Sequence, residues 1–344
     1  MKKNNSFLKN KRNDIRFYLI LFLTLITGVV LIYSTYAWFS SSLNVQIYGF
    51  NVHVDHDSDL AISLDGENWQ QSINISKNTL INDLNNLYPG NTNRWSEYMS
   101  PVSTVGLLNN GYKFSVYENK RPFSRTGGLA SNEYIYPKLS DESKPVLNSN
   151  YFAFDIFIRN NTGSPFNDNL YIRNEKNLFV PETEDDEFIL KAIRFGMVYV
   201  GTVDKKSSLG EIQSINCNVG DCKQFIYEAD TTHTDGSIEF LKRRNINITN
   251  NSVVPTYGIY NEGEKINLWS GVYNSNVAFD SNIFSFQNTI TNLDNSVFEL
   301  PSGISKFRIY LWIEGEDIDI IKTDSPGYRL IFKIDFEKDT AGYK

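Results

Sequence analysis

Phe152-Ala153-Phe154-Asp155-Ile156-Phe157-Ile158-Arg159-Asn160 decides the fold class of this chain. Phe152, Phe154, Ile156 and Ile158 alternate with Ala153, Asp155, Phe157 and Arg159, and a period of two with one apolar phase is the pattern of a half-buried strand. Phe307, Ile309, Leu311 and Ile313 alternate in the same way with Arg308, Tyr310 and Trp312. So do Leu330, Phe332, Ile334 and Phe336 with Arg329, Ile331, Lys333 and Asp335. Leu190 to Val200 is rich in strand formers, and Phe195-Gly196 reads as a bulge. Asn109-Asn110-Gly111, Asn160 to Gly163 and Asp324-Ser325-Pro326-Gly327 supply turn chemistry between such runs. Helical stripes are scarce, the best being Leu80, Leu84 and Leu87, stopped by Tyr88-Pro89-Gly90. Arg94 to Asn148 reads as long loops or an inserted layer. The expected fold is mostly β: an antiparallel, jelly-roll-like β-sandwich with long loops.

The N-terminus is of a different kind. Six bases (Lys2, Lys3, Lys9, Lys11, Arg12, Arg16) precede the apolar run Phe17 to Tyr33, and small residues follow it. That order is an export signal and predicts an N-terminal transmembrane or signal helix, with residues 1–38 as signal peptide or signal anchor and 39–344 as the exported domain. The run is longer than the roughly 7–15 residues of a usual signal-peptide core and short of the ~20 of a comfortable membrane span. Thr35-Tyr36-Ala37 places small residues at the positions that a signal peptidase reads, with the cut between Ala37 and Trp38. Uncut, residues 17–33 anchor the chain in a membrane with its C-terminus outside. The expected location is extracellular or at the cell surface.

Thr35-Tyr36-Ala37-Trp38-Phe39-Ser40 resembles the signal junction of the TasA/camelysin family of exported Bacillota proteins, with Ser41 or Ser42 in place of the usual Asp. Val45 to Val52 is similar to the first strand of those proteins, Tyr88-Pro89-Gly90 to a turn, and Phe152 to Gly163 to a strand ending in Asn-Asn. Trp312-Ile313-Glu314-Gly315-Glu316-Asp317 resembles a W-[IL]-E-G-x-D signature of the wider group. The resemblance implies a SipW type of signal peptidase as a partner and a structural role in an extracellular matrix or fibre. The camelysin branch also implies metalloprotease-like chemistry, but the chain has no H-E-x-x-H and no other ligand-plus-glutamate helix.

Charge narrows the partners. The chain carries −7, and since residues 1–38 hold six bases and one acid, the remainder carries −12. That balance argues against nucleic acid and anionic lipid. Aromatic content of 14% is enough for a sizeable core.

No catalytic constellation and no cofactor motif is present, so no enzyme activity and no cofactor are expected. The histidines are His53, His56 and His233, and the first two fall on opposite faces of any strand that holds both. The best metal candidate is Asp55-His56-Asp57-Ser58-Asp59, whose Asp55, Asp57 and Asp59 copy the start of a calcium loop before Leu60 replaces the required glycine. A solvated acidic turn is the alternative, and the same pair of readings applies to Glu314, Glu316, Asp317 and Asp319. Cys217 and Cys222 flank Asn218-Val219-Gly220-Asp221 and are expected to close a small disulfide loop at a hairpin tip. Asn74, Asn160, Asn247 and Asn250 fit the glycosylation acceptor pattern.

Two functions remain. The first is a non-enzymatic secreted or cell-surface structural protein, a biofilm matrix or fibre subunit that self-assembles by donating Leu43 to Val54 as a strand to a neighbour; pairing within the chain is the competing reading. The second is a membrane-anchored binding module for carbohydrate or a host protein, using Trp69, Trp95 and Trp269 as stacking surfaces.

Overall fold

A computed structural model describes residues 18–27, 45–54, 59–76, 87–119, 137–242 and 289–339, apart from short breaks inside the last three spans. The chain begins with β1 (Val45–Val54), β2 (Leu60–Ser63) and β3 (Ser72–Ser76). Eight short strands follow: β4 (Arg94–Trp95), β5 (Tyr98–Met99), β6 (Val102–Ser103), β7 (Leu108–Asn109), β8 (Lys113–Phe114), β9 (Tyr117–Asn119), β10 (Pro137–Leu139) and β11 (Val146–Leu147). The long strands come next, β12 (Phe152–Asn160), β13 (Asp168–Arg173), β14 (Phe179–Pro181), β15 (Ile193–Val203) and β16 (Lys223–Glu228). The last are β17 (Thr289–Ile290), β18 (Phe298–Leu300), β19 (Gly303–Ile313) and β20 (Tyr328–Asp339).

These form two large sheets. Sheet A runs β18-β13-β20-β1-β3, with β14 on β20 and β5 on β1. Sheet B runs β11-β4-β12-β19-β15-β16-β17, with β2 on β12. Pairing is antiparallel along most of both sheets, but β1 and β20 lie parallel, with Phe50 opposite Phe332 and Val52 opposite Ile334. The alternating rows meet in one core. The Phe50 ring of sheet A touches Phe152 and Phe154 of sheet B at centroid distances of 4.8 and 5.5 Å, and Trp95 stacks on Phe154 at 4.7 Å.

Two expectations need correction. The strands β12 and β19 are not half-buried: Asp155, Phe157, Lys306, Arg308, Tyr310 and Trp312, on the phase opposite the core, are buried too. The reason is a cover contributed by residues 88–116 and 140–151, whose Tyr88, Val102, Tyr112, Phe114, Val116 and Tyr151 pack on that outer face. This cover is the layer inserted in the Arg94 to Asn148 region. The bulge of β15 falls at Tyr199–Gly201 and not at Phe195-Gly196. Gly196 pairs regularly, and a Cβ there would stand 2.6 Å from the Phe114 ring, so the glycine makes room for the cover.

Helices are few. Glu184–Lys191 forms a 3-10 helix, and α1 (Leu209–Gln213) and α2 (Asp235–Lys242) follow. Ser208 and Glu211 make a capping box at the start of α1, which sets Ile212 against Tyr88, Phe157 and Ile304. The stripe Leu80 to Leu87 falls largely outside the described residues. Residues 18–27 are helical and exposed, with the Thr24 and Thr27 hydroxyls donating to the carbonyls of Ile20 and Leu23 at 2.8 Å. Among the described residues no helix is long and apolar enough to cross a membrane. Ala37, Trp38 and the remainder of 17–33 lie outside them.

Candidate functional site

Strand β1 is the segment on which the assembly reading turns. Leu43 lies outside the described residues, and Val45 to Val54 is paired within its own chain, on one side to β20 and on the other to β3 and β5. Val45, Ile47, Phe50, Val52 and Val54 are all buried. The apolar phase of the strand therefore fills the middle of sheet A in this single chain.

The second concentration of function-bearing side chains is the outer face of sheet B. Register sets Asp155 of β12 directly opposite Arg308 of β19. Arg308 donates to Asp155 Oδ1 at 3.0 Å, to Glu142 Oε2 at 2.9 Å, to the Thr92 carbonyl at 3.0 Å and to Tyr310 Oη at 3.0 Å. Lys306 lies 3.3 Å from the other Asp155 oxygen, which also accepts from the Tyr88 hydroxyl. Tyr151 and Tyr310 donate to Glu142 at 2.6 and 3.0 Å. Burial alone would raise the Asp155 carboxyl, but Lys306, Arg308 and the Tyr88 hydroxyl outweigh it and hold the group at about 2. Burial likewise works to lower the Lys306 ammonium, and Asp155 reverses the direction. Burial raises the hydroxyls of Tyr88, Tyr112, Tyr151 and Tyr310. Two cations and two carboxylates thus compensate one another under the cover. The arrangement locks charges in place, and chemically it clamps the cover to the sheet.

A third cluster corrects the reading of Glu314, Asp317 and Asp319 as a solvated turn or cation loop. All three are buried. Arg194 donates to Asp317 at 2.6 Å and to Glu228 at 2.9 Å, Trp312 donates to Glu314 at 3.1 Å, and His233 meets Asp319 at 2.8 Å. His233 is accordingly a buried, paired residue. Here one guanidinium serves several acids. Burial, with Asp319 and Glu228 nearby, pushes Asp317 up to about 6 in spite of its bond to Arg194. Glu316 lies outside the described residues. The W-I-E-G-E-D run carried this signal in part: an acid two residues past a buried tryptophan is within reach of the indole N–H.

The remaining candidates separate. Asp55 and Asp57 lie outside the described residues, while Asp59 is exposed in a left-handed turn (φ 52°). Among the described residues no group of three His, Cys, Asp or Glu is arranged to hold a metal ion. Cys217 and Cys222 are joined, with Cα atoms 5.7 Å apart. Of the proposed stacking surfaces, Trp95 is a core residue, Trp69 is half-buried with the Arg159 guanidinium 4.6 Å over its ring, and Trp269 is not among the described residues. Trp95 is therefore withdrawn as a sugar platform. Asn160 is fully buried and is withdrawn as a glycosylation acceptor. No protein-family model matches the chain, and no curated protein or solved structure shows significant similarity to it.

Proposed function

We propose that the chain is a non-enzymatic structural protein of the cell surface or its extracellular matrix. It is exported through residues 1–38 and cut between Ala37 and Trp38 or held by that segment. Its two sheets face one another as a β-sandwich, and copies assemble by exchanging β1. One observation carries this reading: the first strand after the export segment fills the middle of sheet A with five buried side chains, beside β20. A copy of the same strand from a neighbour makes the same contacts, so closed and exchanged forms differ little in contact energy and concentration decides between them. The Cys217–Cys222 link agrees with an oxidising destination.

The mature protein, beginning near Trp38, should form filaments as its concentration rises. A variant lacking Phe39–Val54 should lose its fold alone and recover soluble β structure when a synthetic Val45–Val54 peptide is supplied, as read by circular dichroism and light scattering. Mature protein that stays monomeric at every concentration overturns the assembly reading.

A further inference from the structure

The three inward rows of alternating side chains each end in a polar residue, and these three polar residues meet. In β12 the row Phe152, Phe154, Ile156, Ile158 ends in Asn160; in β20 the row Leu330, Phe332, Ile334, Phe336 ends in Lys338; in β13 the row Leu170, Ile172 begins with Asp168. Lys338 stands opposite Leu170, a core residue, in the register of β13 and β20. Asn160 and Asp168 are buried, and the Lys338 side chain is only 6% exposed.

Their contacts are ordered for one reaction. The Lys338 amine lies 3.1 Å from Asn160 Oδ1 and 3.2 Å from Asp168 Oδ2, and it also donates to the Thr162 hydroxyl. Asn160 Nδ2 faces acceptors alone: Asp168 Oδ2 at 2.9 Å and the carbonyls of Leu300 and Pro301 at 3.3 and 3.4 Å. Asn160 Oδ1 faces donors: the Lys338 amine, the Thr162 hydroxyl at 2.5 Å and the Thr162 backbone N–H at 3.3 Å. The Thr162 hydroxyl also lies 2.7 Å from Asp168 Oδ2, while Asp168 Oδ1 is buried with no hydrogen-bond partner. A simple buried ion pair needs only a lysine and a carboxylate. Here a primary amide is held between them, with its carbonyl turned to the amine and its leaving nitrogen to the acid.

We propose that Lys338 and Asn160 form an intramolecular isopeptide bond, with Asp168 as the catalytic acid and base. Asp168 takes a proton from the Lys338 ammonium, and the freed lone pair of Nζ attacks Asn160 Cγ. Charge developing on Oδ1 is stabilised by the backbone N–H and hydroxyl of Thr162. The Nζ–Cγ bond forms and the Cγ–Nδ2 bond breaks as Asp168 returns a proton to Nδ2. The second proton lost from Nζ leaves through the same carboxyl, so lysine ammonium and asparagine amide become an isopeptide and an ammonium ion, with no oxidant or cofactor. Holding amine and amide in contact in a water-poor pocket supplies the effective concentration that two free side chains lack. Since β12 belongs to sheet B and β20 to sheet A, the bond fastens the two sheets covalently at one end.

The test is the mass of the purified full-length exported chain, reduced and denatured. The expected value is about 17 Da below the sequence mass, the ammonia expelled by nucleophilic attack on the amide. Proteolysis should give a branched peptide joining the Asn160 and Lys338 segments. Asp168→Asn and Lys338→Met should each restore the full mass. Wild-type protein at full mass with Lys338 open to lysine-specific cleavage overturns the proposal, and so does a loss of the same size located as a succinimide at Asn160-Asn161.

Discussion

The two faces of β12 and β19 are both buried, yet they are built from different materials. Toward sheet A they present Phe154, Ile156, Phe307, Ile309 and Leu311, which need only shape; toward the cover they present Asp155, Lys306, Arg308 and Tyr310, which need partners. An apolar face tolerates any neighbour of the right volume. A charged face under a lid is stable only if each charge meets its complement, which fixes where Tyr88, Thr92 and Glu142 must lie. The cover has little regular structure of its own, with strands of two or three residues, and the buried charges give it an address.

The sharpest way to break this comparison uses two adjacent residues. Phe154→Ala should cost about 3–5 kcal/mol through the cavity it leaves. Asp155→Ala should cost about 3–5 kcal/mol, because it strands the buried Lys306 without its counter-charge and leaves Arg308 with Glu142 alone. Urea unfolding measures both; a cost below about 1 kcal/mol for Asp155→Ala would mean that the outer face is solvated, the level typical of exposed pairs.

Acid separates the two polar clusters. Asp155 is held at about 2 in the fold, below its ordinary 3.8, so its contribution is present above the unfolded value and lost as pH falls toward 2, about 2 kcal/mol in all. Asp317 is raised to about 6, so the folded state keeps its proton where the unfolded chain gives it up, and stability falls as pH rises from about 4 to 6. Melting midpoints across pH 2–7 should show the first decline in wild type and not in Asp155→Asn, and the second in wild type and not in Asp317→Asn. The smallest effect concerns the edge of the cover: Ser208→Ala removes the capping box of α1 and should cost about 1 kcal/mol, read by thermal unfolding.

The inner rows were legible because alternation is set by the pleat itself, residue by residue. The outer face was not. Asp155 and Arg308 look like solvent-facing positions until a distant, aperiodic segment covers them, and no local pattern announces that. Gly196 was misread for the same reason: a glycine inside a strand signals either a bulge or a close approach, and the approaching Phe114 lies far away in sequence. Two signals were readable and missed. Ser208 and Glu211 spell a capping box, and the inward phases of β12 and β20 run on past their apolar residues to Asn160 and Lys338.

The parallel pairing of β1 with β20 also has a mechanical meaning. The pair runs from Val45 beside Tyr328 to Val54 beside Phe336, so a pull applied before β1 and after β20 draws the two strands past one another lengthwise. Every backbone hydrogen bond along the pair then bears load together, whereas an antiparallel terminal hairpin opens one bond at a time. Under tension between its two ends, this chain should yield late and abruptly, at a force set by the whole length of β1.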